Sequence, residues 1–223
     1  MAENITEKLK ILQKKCKIDG IVESLIHIPA GIFLYGRKKE IKYLDEFYIM
    51  KYPVTVKQYR QYCKINHQKM PFEPKWGWHD SHPIVNVNCI DAVAFAEFVS
   101  LVLPFEEEWE KAARGVDGRI FPWGNEWDES KCCNSEFKTT EVGLFHLGIS
   151  PYGIYDMAGN VWEWCNNLCD KQNGHEDDET YVRGGSWFNE NPDFYRTFSR
   201  YYVKKVFKKH TYGFRCILKK NTT

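Results

Sequence analysis

The 223-residue chain lacks several features that would each have fixed its class. Its opening, "MAENITEKLKILQKKCKIDG", has no uninterrupted apolar run, because Lys and Glu recur every few residues. A signal peptide or membrane anchor is therefore not expected, and the chain reads as cytoplasmic with no membrane contact. It also lacks a repeated CxxC pair: Cys165 and Cys169 lie four apart and Cys132 and Cys133 are adjacent, spacings that do not specify zinc. In a reducing compartment its 8 cysteines are expected to be free thiols, not a disulfide scaffold. No internal repeat or low-complexity tract appears, and "HEDDET" at 175–180 reads as a solvated acidic turn. No acidic residue follows Asp193, although nine Lys and Arg do, from Arg196 to Lys220. That imbalance raises nucleic-acid binding as a question, but a solvated cationic strand edge that discourages aggregation accounts for it better, and nucleic acid is not the expected partner.

What is present describes one well-buried domain. Apolar residues make up 43% of the chain and aromatics 16%, with 8 Trp, 13 Tyr and 14 Phe, which suits a loop-rich core better than a helical bundle. The boundaries are read as an N-terminal amphipathic helix within 1–20, carrying Ile5, Leu9, Ile11 and Leu12, followed by a domain over 21–220. This helix could pack on the body or contact a partner. "LIHIPAGIFLYG" reads as two strands of a hairpin broken at Pro29 to Gly31, and "DEFYIMKYPVT" as a further strand. Thr55 is the expected N-cap of a helix in "VKQYRQYCKIN" and Asp91 that of "AVAFAEFVSLV", while "FEEEWEKAARG" forms a third, closed by Gly115. A loop rich in Pro, Trp and His spans Met70 to Pro83, and irregular, β-containing structure follows the helices.

Eight short motifs then occur in order: "IPAGIFLYG", "YPVTVKQY", "HPIVNVNCIDAVAFAEF", "LPFEEEWEKAARG", "FPWGN", "SPYGIYDMAGNVWEWCNN", "VRGGSW" and "YGFRC". Together they resemble the formylglycine-generating enzyme, or sulfatase-modifying factor, domain family, over about residues 25–218. The resemblance implies an α+β fold, a variant of the C-type lectin fold with limited regular secondary structure. In "GNVWEW", Asn160 and Glu163 offer an amide and a carboxylate to a hard cation such as calcium, helped by the Val161 carbonyl. The alternative is that Asn160 bonds its own turn and Glu163 pairs with an arginine. A second family calcium site falls nearest to Asn134, where this chain is shorter than the family pattern. Gly184 and Gly185 are expected to allow close backbone approach, and Arg215 to make a buried ion pair or carbonyl contact.

Catalytic members of the family oxidise a substrate cysteine to formylglycine, using oxygen and a copper ion held by two cysteines. By the resemblance those thiolates lie three and eight residues beyond the serine of "GGS", which in this chain places Asn189 and Phe194 there, counting from Ser186. Copper(I) selects soft thiolates, and neither an amide oxygen nor a phenyl ring replaces one, so copper is not expected. The family disulfide partner of Cys216 falls at Ala96, so that bridge cannot form. The resulting expectation is a non-catalytic module for a protein or peptide ligand, with Ser186, Trp187, Asn189, Asn191, Asp193, Tyr195, Tyr201 and Tyr202 as candidate binding residues. Asn189, Asn191, Asp193 and Tyr195 alternate, and an extended segment would put all four on one side. The arrangement also resembles the variable proteins of diversity-generating retroelements, which concentrate binding residues between "GGSW" and "GFR". The competing expectation is a metal-dependent oxidoreductase with a relocated site drawing on His79, His82, Cys165 or Cys169.

Overall fold

A computed structural model describes residues 5–134, 136–166 and 178–220 of the chain. Cys169 and the first half of the "HEDDET" stretch, 175–177, lie outside the described residues. The first helix, α1, runs Ile5–Lys15 with Glu7 in its first turn and Lys14 and Lys15 in its last, which complements the helix dipole. Ile5 and Leu12 are buried and Leu9 packs beside them in the largest core cluster. The apolar stripe of this helix is thus covered by the body itself, and any partner surface on it would be its charged face.

Four strands follow: β1 (Leu25–Ile28), β2 (Gly31–Tyr35), β3 (Glu40–Leu44) and β4 (Phe47–Met50). The expected β1–β2 hairpin does not form. Instead β1 pairs with β4, and β2 pairs with β3, a strand the sequence reading missed. The turn at Pro29 redirects the chain between two sheets, with Lys111 Nζ donating to the carbonyls of Pro29 (2.7 Å) and Gly31 (3.1 Å). Helix α2 (Val56–Ile65) starts where expected: the Thr55 hydroxyl accepts from the Gln58 amide, and the Gln58 side chain accepts from the Thr55 amide. Helix α3 (Cys89–Phe98) starts three residues earlier than expected, because Asn88 is the cap and Asp91 answers it from the third helical position.

Helix α4 (Glu106–Arg114) stops at Gly115, whose φ of 71° is the left-handed conformation that favours glycine. A Cβ there would also sit 2.9 Å from the Pro151 ring. Lys111 and Arg114 are buried, and their charge is met mostly by loop backbone: Arg114 donates to the carbonyls of Leu34, Gly36, Gly118 and Arg119. Irregular segments without a ladder of their own are satisfied this way.

The C-terminal half contributes β5 (Trp162–Trp164), β6 (Glu179–Arg183), β7 (Arg200–Lys204), β8 (Tyr212–Gly213) and β9 (Ile217–Lys219). The order β7-β6-β5-β8 makes a four-stranded sheet in which β5 and β8 run parallel, and β9 closes the β1-β4 sheet. Alternation along β5 buries Trp162 and Trp164 in the main core while Glu163 meets Trp109. The fold is the expected α+β type with modest regular secondary structure.

Candidate functional site

The "GNVWEW" and "GFR" motifs meet at a buried ion pair. Arg215 donates to both oxygens of Glu163, each at 2.7 Å, and the Trp109 indole N–H donates to the same carboxylate at 2.8 Å. The guanidinium also donates to the carbonyls of Met50, Lys51 and Tyr155, which ties three segments to one side chain. Of the two readings open for Glu163, the arginine partner is the one seen. Asn160 is fully buried with φ of 64°; its amide oxygen accepts from the Thr140 N–H (3.2 Å), and its NH2 faces the Thr140 carbonyl and Asp156. It therefore clamps the neighbouring loop as well as its own turn. Val161 is buried beside it, and Asn134 donates to the carbonyls of Glu129 and Cys132. These four residues are drawn into the protein's own hydrogen bonds and packing.

Above that frame the chain turns through Gly184 and Gly185, with φ of 97° and 75°. A Cβ on Gly184 would lie 3.0 Å from the Trp109 ring, and one on Gly185 2.6 Å from that of Tyr195. Both glycines are required by close approach as well as by φ. Ser186 is buried; its N–H and hydroxyl both reach the amide oxygen of Asn189, at 2.9 and 3.0 Å, which closes the turn.

The alternating face expected over Asn189 to Tyr195 is not present. Asn191 caps a short 3-10 turn, Pro192–Tyr195, by accepting from the Asp193 N–H at 2.9 Å, and the period of two is lost. Tyr195 consequently turns inward: it is fully buried, stacks on Trp127 with ring centroids 5.1 Å apart, and its hydroxyl donates to the carbonyls of Ser186 and Asn189. It supports the loop and is not a contact residue. Trp187 is also internal, donating to the His210 carbonyl at 3.1 Å. Tyr202 packs on Tyr181, on the face of β7 opposite Tyr201. Asn191 and Asp193 stay exposed on the turn.

What remains is a recess of about 250 Å³ in which Ser186, Asn189, Phe194 and Tyr201 converge over Trp162. The two positions that by resemblance would hold copper thus line one cavity. Phe194 and Tyr201 lie against the Trp162 ring, with centroids 6.0 and 6.4 Å from it, and are 36% and 55% exposed. Lys209 and Thr211 add polar groups at the rim. A second hollow opens beside it, sharing Phe188, Asn189 and Phe194, where Phe188 is 65% exposed. Phe188, Trp162 and Lys209 were not among the candidate binding residues read from the sequence. The alternation in "VWEW", with the carboxylate turned inward, was the available signal for Trp162.

No cysteine lines either hollow among the described residues. Burial raises the thiols of Cys132 and Cys133 to about 12 and pushes Cys165 up as well, so they are poor thiolate donors. His79 and His82 do come together, stacked at 4.7 Å, and burial lowers His82 to about 4. Among the described residues, however, no group of three metal-ligating side chains forms, and Cys165 lies in the core. The basic run is dispersed: Arg196, Arg200, Lys204, Lys208 and Lys219 each pair with an acid elsewhere in the chain.

The family model described as "Sulfatase-modifying factor enzyme 1-like domain" matches residues 12–220. Among curated relatives, the "Inactive C-alpha-formylglycine-generating enzyme 2" of Bos taurus is 37% identical over 122 residues, covering 48% of this chain and 39% of its own length. The chain spans less than half the length of the curated relatives it matches, 44% and 39% for the first two. Among solved structures, PvdO from Pseudomonas aeruginosa superposes with a TM-score of 0.74 at 23% identity, over 86% of this chain and 93% of that one. Treponema denticola variable protein 1 superposes with a TM-score of 0.71 at 20% identity, over 87% and 94%. At these identities the two structures speak for the fold alone.

Proposed function

The chain belongs to the sulfatase-modifying factor enzyme 1-like domain family, and on that premise we propose that it is a non-catalytic recognition module that takes a protein or peptide ligand in the aromatic recess. The observation that carries this reading is the convergence of Asn189 and Phe194 on one cavity with Ser186 and Tyr201. An amide and a phenyl ring at those positions offer hydrogen bonding and apolar contact in place of soft metal ligation. Exposed Phe188, Phe194 and Tyr201 supply rigid contact area at low entropy cost, of the kind that dominates hot spots. The likeness to a relative named as inactive supports loss of catalysis.

The test begins with peptides selected from a random library against the full chain. Phe194→Ala and Tyr201→Ala should each weaken the selected peptides by about 1–2 kcal/mol while the unfolding midpoint holds. Affinities equal to the parent in both variants would sink the proposal. The relocated-metal oxidoreductase is the weaker reading, since His79 and His82 have no third donor among the described residues. Stoichiometric copper or iron in the purified chain would revive it.

A further inference from the structure

Strand β7 has two faces, and the second one borders a hollow of different lining. Tyr201 faces the aromatic recess, whereas Arg200 lies opposite Arg183 in register and points to the other side of the sheet. There a hollow of about 300 Å³ opens between β7 and the β2–β3 turn, with Tyr35 and Phe198 as walls, Arg37 and Lys38 at the mouth, and Arg183 and Arg200 within. We propose that this hollow binds a small anion carrying at least two negative charges, such as a polyphosphate or a di- or tricarboxylate.

The argument starts from charge. Arg114 and Arg183 are buried, and with the half-exposed Arg200 they place three guanidinium groups around two carboxylates, Glu106 and Glu110. One positive charge is left over in a low-dielectric setting, where it attracts an anion more strongly than it would at an open surface. Arg37 and Lys38 also line the hollow, where Glu40 is the further carboxylate, which adds a second. Nearby Glu107 is already held by Lys42 at 2.9 Å and does not cancel either.

Hydrogen bonding points the same way. Arg183 donates to the Ser199 carbonyl and to Glu110, yet its Nε is buried with no hydrogen-bond partner among the described residues. That nitrogen is enclosed and out of a ligand's reach, so an anion in the hollow would meet the half-exposed Arg200 guanidinium and the side chains of Arg37 and Lys38. Planar guanidinium groups meet carboxylates and phosphates with matched geometry, and the Tyr35 and Phe198 rings limit water around the bound group. A recess of this size suits a small molecule better than a chain segment.

The experiment is calorimetric titration of the full chain with pyrophosphate and, separately, with citrate at low ionic strength. One of the two should bind with 1:1 stoichiometry, and the preferred probe distinguishes a phosphate site from a carboxylate site. The exposed double variant Arg37→Gln/Lys38→Gln should bind that probe about tenfold more weakly or worse, as should Arg200→Gln. Phe194→Ala, on the opposite face, should bind it as the parent does. No 1:1 binding of either probe, or undiminished binding by the double variant, would overturn the proposal.

Discussion

Within the eighteen residues from Arg183 to Arg200, two regions follow different rules. The first, Arg183 to Trp187, is buried throughout, and each residue answers to something fixed beneath it: Arg183 to Glu110, the glycines to two aromatic rings, Trp187 to the His210 carbonyl. The second, from Phe188 onward, presents exposed aromatic and polar side chains on a turn held from below by Tyr195. Motif residues in the first region are there to shape backbone, so their survival says nothing about catalysis. The exposed residues of the second, such as Phe188 and Phe194, are free to change chemistry without unfolding the domain. The two positions that by resemblance would hold thiolates, Asn189 and Phe194, fall in the second region and line the recess.

The sharpest way to break the comparison is to attack the frame. Glu163→Gln leaves Arg215 buried without its countercharge and should cost about 3–5 kcal/mol in urea unfolding, with the recess collapsing along with it. Gly185→Ala combines a positive φ with a Cβ 2.6 Å from the Tyr195 ring. It should cost about 1–3 kcal/mol and displace the tyrosine that supports the turn, visible as altered near-ultraviolet circular dichroism. Phe188→Ala, in the open region, should change stability by no more than about 0.5 kcal/mol while weakening library-selected peptides. A frame variant that unfolds no more readily than this surface variant would erase the distinction.

The smallest expected effect is in pH response. Desolvation by burial raises the Asp156 carboxyl to about 6, although it accepts from the Gly143 N–H at 2.8 Å. The folded state then holds its proton more tightly than the unfolded chain does. Its contribution to stability is present below about 4 and is lost as pH rises toward 6. Denaturation midpoints should therefore fall across that window in the parent relative to Asp156→Asn, and parallel curves would contradict it.

Local signals were legible where the chain satisfies its own backbone. Thr55 as the cap of α2 and Gly115 as the stop of α4 are capping devices a few residues long, and they appear as read. The pairing of β1 with β4 was not legible, because it depends on a partner more than twenty residues away and on Lys111 fixing the carbonyls between. Of the candidate residues read from the sequence, Ser186, Asn189 and Tyr201 line the recess, whereas Tyr195 is buried beneath the loop. The Asn191–Pro192 pair was the missed cue, a turn signal that overrides any alternation around it. The ion pair of Glu163 with Arg215, 52 residues apart, had only the chemistry of its two ends to announce it.

The central claim is that the recess keeps the geometry of a two-thiolate site without its chemistry. Anaerobic titration of Cu(I) into the parent chain and into the Asn189→Cys/Phe194→Cys double variant, followed by thiolate-to-copper absorption, tests it directly. One equivalent should bind to the double variant and no stoichiometric uptake should occur in the parent. Equal uptake by both chains, or none by the variant, would contradict the account.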